Sequence, residues 1–323
     1  MYRLTSDITI ADFSFTYITD VEVNSSIDNL TDTCKITIPR LLKWRGKEVS
    51  KLIKRGDQVT VNIGYAGENN EVFKGYVRTI GTGTPLILEC ENEMFRLKKV
   101  EVANEHYPSL QLKKFIDQYL PKDYNTDITD MNLGEVRISD MPSLAKVLEY
   151  FHSTYGIQFY FIGNIFYANM PGTLLLKSDK LNTHILKFGV NIISDSLNYQ
   201  LAEDINLIIQ AKCVLADNKK IEWREPKGAK DGEIKTYFCW WGKTEADLIK
   251  FAKDKLATEK IDRLNGKLTI MGLPYIKKSD FVKLYDDKNT ERNNKLFIVK
   301  SVTTNFGTGG YKQTIEPGAQ VKL

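Results

Sequence analysis

Apolar and polar residues alternate with period two through about residue 95. Phe15, Tyr17, Val21 and Val23 take alternate positions, and after the polar turn Asn24–Asp32 the pattern resumes at Cys34, Ile36 and Ile38. This spacing predicts strands with one buried face. Pro39 has no N–H to donate and stops the ladder. The next stretch, LLKWRGKEVSKLIKR, carries six Lys or Arg and ends at Gly56. It predicts a loop with a short helix, about Glu48–Lys54, crossing the mouth of a barrel. Turn chemistry at Gly64–Gly67 and Glu68–Asn70 separates the following strands. Short strands punctuated by Gly and Asn predict a small barrel or sandwich.

From about Phe95 to Gly189 the period changes. Ser109 is placed to cap a helix bearing Leu112, Phe115, Ile116 and Tyr119 on one face, stopped by Pro121. Ser143 opens a second helix with Leu144, Val147, Leu148 and Phe151 inward, and Gly156 suits its left-handed end. Ile157–Ala168 predicts a hairpin turning at Gly163-Asn164. Strands then return. Ile205, Leu207, Ile209, Ala211 and Cys213 share a face, Asp217-Asn218 makes a turn, and Glu225–Lys235 is a polar, Gly-containing loop. Thr244 caps one more helix, with Leu248, Phe251, Ala252 and Leu256 inward. A last β-run begins at Gly266.

One stretch occurs twice. RGDQVTVNIGYAGENNEVFKGYVRTIGTGTPLILEC (Arg55–Cys90) has a faded copy in Lys278–Gly318. Asp57 corresponds to Asp280, and the GTG at Gly81–Gly83 to the GTG at Gly307–Gly309; between them lie an apolar strand, a polar turn and a second strand. The expected fold class is therefore mainly β with an α+β insertion. Two related tube-like β-barrel domains (1–95 and 191–323, the second with one packed helix) flank a helix–hairpin module (96–190). A chain of 323 residues is long enough for two or three cores.

A formal charge of +4 is too mild for a dedicated nucleic-acid binder. No apolar run suits a signal peptide or a membrane span, so no membrane anchor is expected. Cys34, Cys90, Cys213 and Cys239 are scattered within strand-like runs, which predicts buried thiols in a reducing cytoplasm. His106, His152 and His184 have no metal-ligand spacing. Of these, His152 is expected to be surface or half-buried. GTGTP and GTGGY lie between strands, so they are turns and not phosphate loops. Glu89, Glu91 and Glu93 would suit a hydrolase or metal site if one strand carried all three; a solvated strand edge is the plainer reading. Asp286, Asp287 and Glu291, interleaved with Lys and Arg, predict a hydrated loop. The basic run Lys43–Arg55 offers either a phosphate-contacting patch or a docking or solvated surface, and the second is favoured because only Trp44 could stack. Trp240-Trp241 suits a stacking platform or, by preference, a buried or interface strand. No catalytic, cofactor-binding or metal-binding residue is assigned, and no cofactor is expected.

The run GDQVTVNIGYAGENNEVFKGYVRTI resembles the first tube-like domain of phage baseplate hub proteins. That group includes the late control D proteins and the N-terminal part of type VI secretion spike proteins. GKLTIMGLPYIKKSDFVKLYDDKNTERNNKLFIVKSVTTNFGTGGYKQTIEPG, with the helix TEADLIKFAKDKLATEKIDRLNG before it, resembles the final domain of Mu-like hubs. SLAKVLEYFHSTYGIQFYFIGNIFYA is similar to the helix–hairpin of the family's middle domain. The resemblance covers most of the chain, is weakest over Asn169–Tyr199, and departs where Ser279 replaces Gly56. It implies a non-enzymatic homotrimeric hub joining a sixfold tail tube protein to a threefold spike, with other baseplate proteins as partners and nucleic acid at most passing through a channel. The implied location is the tail baseplate of a virion, or a phage-tail-like or type VI-like particle, assembled in the bacterial cytoplasm. Because the chain stops at Leu323, spike and any cell-wall hydrolase are expected on separate polypeptides. The alternative is a tail-tip peptidoglycan hydrolase or peptidase using Glu89, Glu91 or Glu93.

Overall fold

A computed structural model describes residues 3–321 apart from 17, 41–42, 45, 50–51, 171–181, 215–218, 240–243 and 261–262. Tyr17, Trp240-Trp241 and the Asp217-Asn218 turn thus lie outside the described residues. The first third folds as β1 (Leu4–Ile10), β2 (Phe13–Phe15), β3 (Asp20–Ser26), β4 (Thr33–Ile38), the short β5 (Lys43–Trp44) and β6 (Lys47–Glu48), β7 (Gln58–Tyr65), β8 (Glu68–Ile80) and β9 (Leu86–Glu91). The predicted alternation holds: Val59, Val61 and Ile63 are fully buried while Thr60 and Asn62 between them are not. Each such side chain contributes roughly 1.5–3 kcal/mol by leaving water. Within the basic run β5 and β6 pair, so Glu48 lies in a strand and not in the short helix expected over Glu48–Lys54. The Ile53 N–H then reaches the Val49 carbonyl at 3.2 Å. Val49 and Ile53 plug the first core beneath it, so the run closes that core with its apolar residues.

The middle third holds α1 (Met94–Leu97), β10 (Glu105–Tyr107), α2 (Leu112–Tyr119), β11 (Asn125–Ile128), β12 (Val136–Ile138), α3 (Leu144–Tyr155), β13 (Gln158–Ile162) and β14 (Ile165–Asn169). Gln111, not Ser109, is the N-cap of α2, because the Ser109 hydroxyl is taken by the Asn132 side chain at 2.7 Å. Ser143 does precede α3, through its backbone carbonyl alone, and Gly156 ends that helix at φ +70. Phe115, Phe151, Phe159 and Phe166 sit in a core of their own between the helices and the β13–β14 hairpin.

The last third comprises β15 (Thr183–Lys187), β16 (Ile192–Asp195), β17 (Asn198–Gln200), β18 (Leu207–Val214), β19 (Lys220–Glu225), β20 (Glu233–Phe238), α4 (Glu245–Glu259), β21 (Arg263–Asn265), β22 (Leu268–Met271), β23 (Phe281–Tyr285), β24 (Lys295–Gly307) and β25 (Gly310–Val321). β15, which the sequence pattern assigned to the middle module, lies parallel to β23. Helix α4 covers β18 with Leu248 and Ala252, both fully buried.

The architecture is mainly β. Among the described residues, however, the strands of the first and last thirds do not form two closed barrels. Apart from the β5–β6 pair and a separate β19-β18-β20 sheet, they join in one open 15-stranded sheet whose main path runs β16-β22-β25-β24-β3-β4-β9-β8-β7-β1-β2, with β15, β17, β21 and β23 branching from it. The link is β3 against β24, antiparallel from Ser301↔Ser26 to Gly307↔Asp20.

Candidate functional site

The chemistry-bearing residues converge where the two repeats meet the middle module. The repeat itself is visible atom by atom. In the first copy the Lys54 N–H donates to the Asp57 carboxylate at 2.7 Å, and the Gly56 and Asp57 backbones exchange hydrogen bonds with Val77 at 2.8 and 2.9 Å. In the second, the Lys277 N–H donates to Asp280 at 2.9 Å, and Ser279 and Asp280 exchange bonds with Val299, both at 2.8 Å. Gly56 has φ +93 and Ser279 φ +72, so the replacement preserves a left-handed turn that glycine adopts more readily. Both second strands then bulge, between Val77 and Thr79 and between Val299 and Ser301. The bulged residue itself makes a matching ion pair in each copy, Arg78–Glu89 at 2.6 Å and Lys300–Glu316 at 3.1 Å.

The GTG triplets correspond less closely than the sequence suggests. Ile80↔Leu88 of the first hairpin matches Val302↔Ile315 of the second, and beyond it the second hairpin continues five more pairs to Gly307↔Gly310. Gly81 therefore matches Thr303 in register, and Gly307–Gly309 lies at the tip of an extension. That extension has a purpose in packing: it carries Phe306 and Tyr311 into the first core, where the Tyr311 ring lies 5.4 Å from Tyr65.

At the junction Lys278 is 4% exposed, and its Nζ lies 2.7 and 2.8 Å from the two Asp32 oxygens. Asp32 also accepts from the Ser26 backbone and the Asn92 amide, both at 3.2 Å. Tyr160 of the middle module presents its ring 5.4 Å from the same ammonium. Beside it, Lys300 bridges Asp28 and Glu316 at 3.1 Å each, and Gln158 donates to Asp28 at 2.8 Å. Burial would lower the Lys300 pKa, but the two carboxylates outweigh it and hold the ammonium above its usual range. A cleft of about 350 Å³ opens here, with Asp32, Asn92, Phe161, Tyr275 and Lys278 among its walls. Sequence reasoning missed Lys278. Its signal was the position two residues before the repeated Asp, where the first copy has Arg55.

The other candidates are dispersed. β9 ends at Glu91, so Glu93 does not continue its face. Glu91 is buried between Arg78 at 3.1 Å and Lys98 at 2.6 Å, which corrects the solvated-edge expectation. Glu93 accepts from the Tyr76 and Tyr124 hydroxyls. The Asp286 loop is less hydrated than expected. Burial would raise the Asp286 pKa, yet the Lys288 N–H at 3.0 Å and Arg292 at 2.7 Å bring it below the usual carboxylate value. His184 meets Asp280, exposed His106 meets Glu135, and half-buried His152 meets the Ile157 carbonyl. Cys34 and Cys90 face each other across β4 and β9, and burial pushes both thiols up, Cys90 to about 12. Among the described residues no group of three or more His, Cys, Asp or Glu is arranged to hold a metal, and no helix is long and apolar enough to cross a membrane.

Neither a known sequence family nor a curated protein matches the chain. Solved structures do. A tail protein from Neisseria meningitidis MC58 overlays with a TM-score of 0.69 at 13% identity, covering 98% of this chain and 96% of that one. The fold is that of phage tail proteins. The 43 kDa tail protein of prophage MuSo2 from Shewanella oneidensis shares it at a TM-score of 0.65, 11% identity and 98% of both chains. So does an E. coli component of the type VI secretion system described as structurally similar to T4 tail proteins gp27 and gp5, at 0.57 and 10% identity over 96% of this chain and 76% of that one. At these identities the tail-protein fold, and not any one residue, is what is shared.

Proposed function

We propose that this chain is the structural hub of a contractile phage tail or tail-like injection machine, a homotrimeric adaptor between a sixfold tube and a threefold spike. The observation that carries the reading is the duplicated turn–strand–bulge unit, joined edge to edge through β3 and β24 in one sheet. Identical subunits cannot bury identical surfaces across a symmetry mismatch. A chain holding two related units resolves this: three chains offer six similar units to the tube, and the divergence between units offers threefold symmetry to the spike. On this reading the units span 1–95 and 191–323, the module 96–190 lies between them, and the working surfaces are strand edges and rims. Its place is the baseplate, assembled in the bacterial cytoplasm with tube, spike and other baseplate proteins. The test is light scattering with negative-stain imaging of the purified chain. A particle of three times the 37.0 kDa chain mass, with six lobes about a hole, is expected. A chain that stays monomeric with tube and spike proteins added would overturn the reading.

A further inference from the structure

The two repeats differ in how one strand edge is covered. Thr60↔Lys74 and Val61↔Phe73 of the first copy match Lys283↔Leu296 and Leu284↔Lys295 of the second. In the second copy β25 runs on past the bulge, and its Gln320 and Val321 pair with Phe297 and Leu296. In the first copy β9 stops at Glu91, opposite Tyr76, and the chain turns away into α1. Lys74, the counterpart of Leu296, therefore has no strand on that side among the described residues, and neither has β8 from there back to Glu68.

The uncovered edge opens on the junction cleft. Val77 exchanges hydrogen bonds with Gly56 and Asp57 on the β7 side, at 2.8 and 2.9 Å. Successive residues of a strand turn their main-chain groups to opposite sides, so Tyr76 and Lys74 turn theirs the other way. Tyr76 meets Glu91 there, whereas Lys74 meets the cleft of about 350 Å³, one wall of which is residues 71–74. β8 bulges at Val72, whose carbonyl receives the Tyr275 hydroxyl from another wall at 3.5 Å.

The cleft also has the side chains to select what enters it. Val72, Phe161 and Val302 give it apolar surface. Its deeper carboxylates are satisfied: Asp32 holds Lys278, and Glu93 holds the Tyr76 and Tyr124 hydroxyls. Lys74 and Lys277 are exposed and have no ion-pair partner among the described residues; the Lys277 ammonium lies 5.6 Å from the Tyr275 ring. Against them stands the exposed carboxylate of Glu71, which leaves the mouth net positive. The end of β25, which covers this position in the second repeat, is already taken up by β24.

We propose that an extended acidic segment of a separate polypeptide lies in this cleft as an added strand, paired to β8 at Lys74 and with a carboxylate between Lys74 and Lys277. The site rests on the hub reading only for the existence of a partner polypeptide. Main-chain pairing supplies affinity, and the two lysines supply the choice of partner.

The test uses the full-length chain and an acetylated, amidated peptide of about six alternating Val and Glu residues, set against its Val–Lys counterpart. The Glu peptide is expected to bind roughly tenfold tighter and to slow exchange of the Lys74 amide. Methylating its alternate amide nitrogens should abolish both effects, and Lys74→Glu with Lys277→Glu should reverse the preference between the peptides. Equal affinity for the two peptides, no binding up to about 1 mM, or unchanged exchange at Lys74 would overturn the site. A six-lobed trimer that fails these tests overturns the site and leaves the hub reading standing. A chain that stays monomeric with tube and spike proteins added, yet protects Lys74 on binding the Glu peptide, overturns the hub reading and keeps the site.

Discussion

Lys278 shows how a single buried charge ties three parts of a chain together. Its ammonium meets the Asp32 carboxylate and the face of Tyr160, and Asp32 in turn holds Asn92. Replacing it by Met keeps the volume but leaves Asp32 buried without its cation. Lys278→Met is thus expected to lose about 3–5 kcal/mol in chemical denaturation. The buried phenols set a limit at high pH. Burial, with Tyr311 nearby, pushes Tyr275 far up, and burial with Tyr65 nearby does the same to Tyr311. An unfolded tyrosine ionises near pH 10 and these do not, so above that pH the unfolded chain binds fewer protons and stability falls. Each such phenol costs up to about 1.4 kcal/mol per pH unit above about 10. Denaturation midpoints should begin to decline near pH 9, where the thiols of Cys34 and Cys90 ionise only in the unfolded chain, and fall more steeply beyond about 10; a slope that does not steepen there would contradict the burial of these rings.

Among the elements, α4 shows a local signal read directly. Thr244 accepts the Asp247 N–H at 3.2 Å while the Thr244 N–H donates to the Asp247 carboxylate at 3.0 Å, a reciprocal cap. Thr244→Ala should cost about 1 kcal/mol, seen as a lowered thermal midpoint with β content by circular dichroism unchanged. α2 shows the limit of the same reasoning. Ser109 has the right chemistry for a cap, but Asn132 takes its hydroxyl from a distance of 23 residues in sequence. Local pattern names the residue types that can cap. A long-range contact decides which one does.

At the scale of the whole molecule, the two repeats are interlocked as well as adjacent. The extended β24–β25 hairpin supplies Phe306 and Tyr311 to the core formed by the first repeat. Phe306→Ala is expected to cost about 3–5 kcal/mol and to speed amide exchange in β3 and β7, although the substitution lies in the other repeat. Exchange that rises only around β24 and β25 would mean that the first core is complete without them.

The amino-acid sequence by itself determined the strand periodicity, the helix–hairpin in the middle, the duplication anchored at Asp57 and Asp280, and the likeness to tail hubs. These are local patterns repeated along the chain, and period and turn chemistry are written in neighbouring residues. Tertiary structure alone decided the rest. It merged the expected barrels into one sheet, because edge pairing between β3 and β24 joins residues as far apart in sequence as Ser26 and Ser301. It moved the matching of the GTG triplets, because hairpin length answers to what the tip must cover. It also made Lys278, rather than the acidic clusters, the centre of the junction, because a lysine's partners are set by the fold around it and not by its neighbours in sequence.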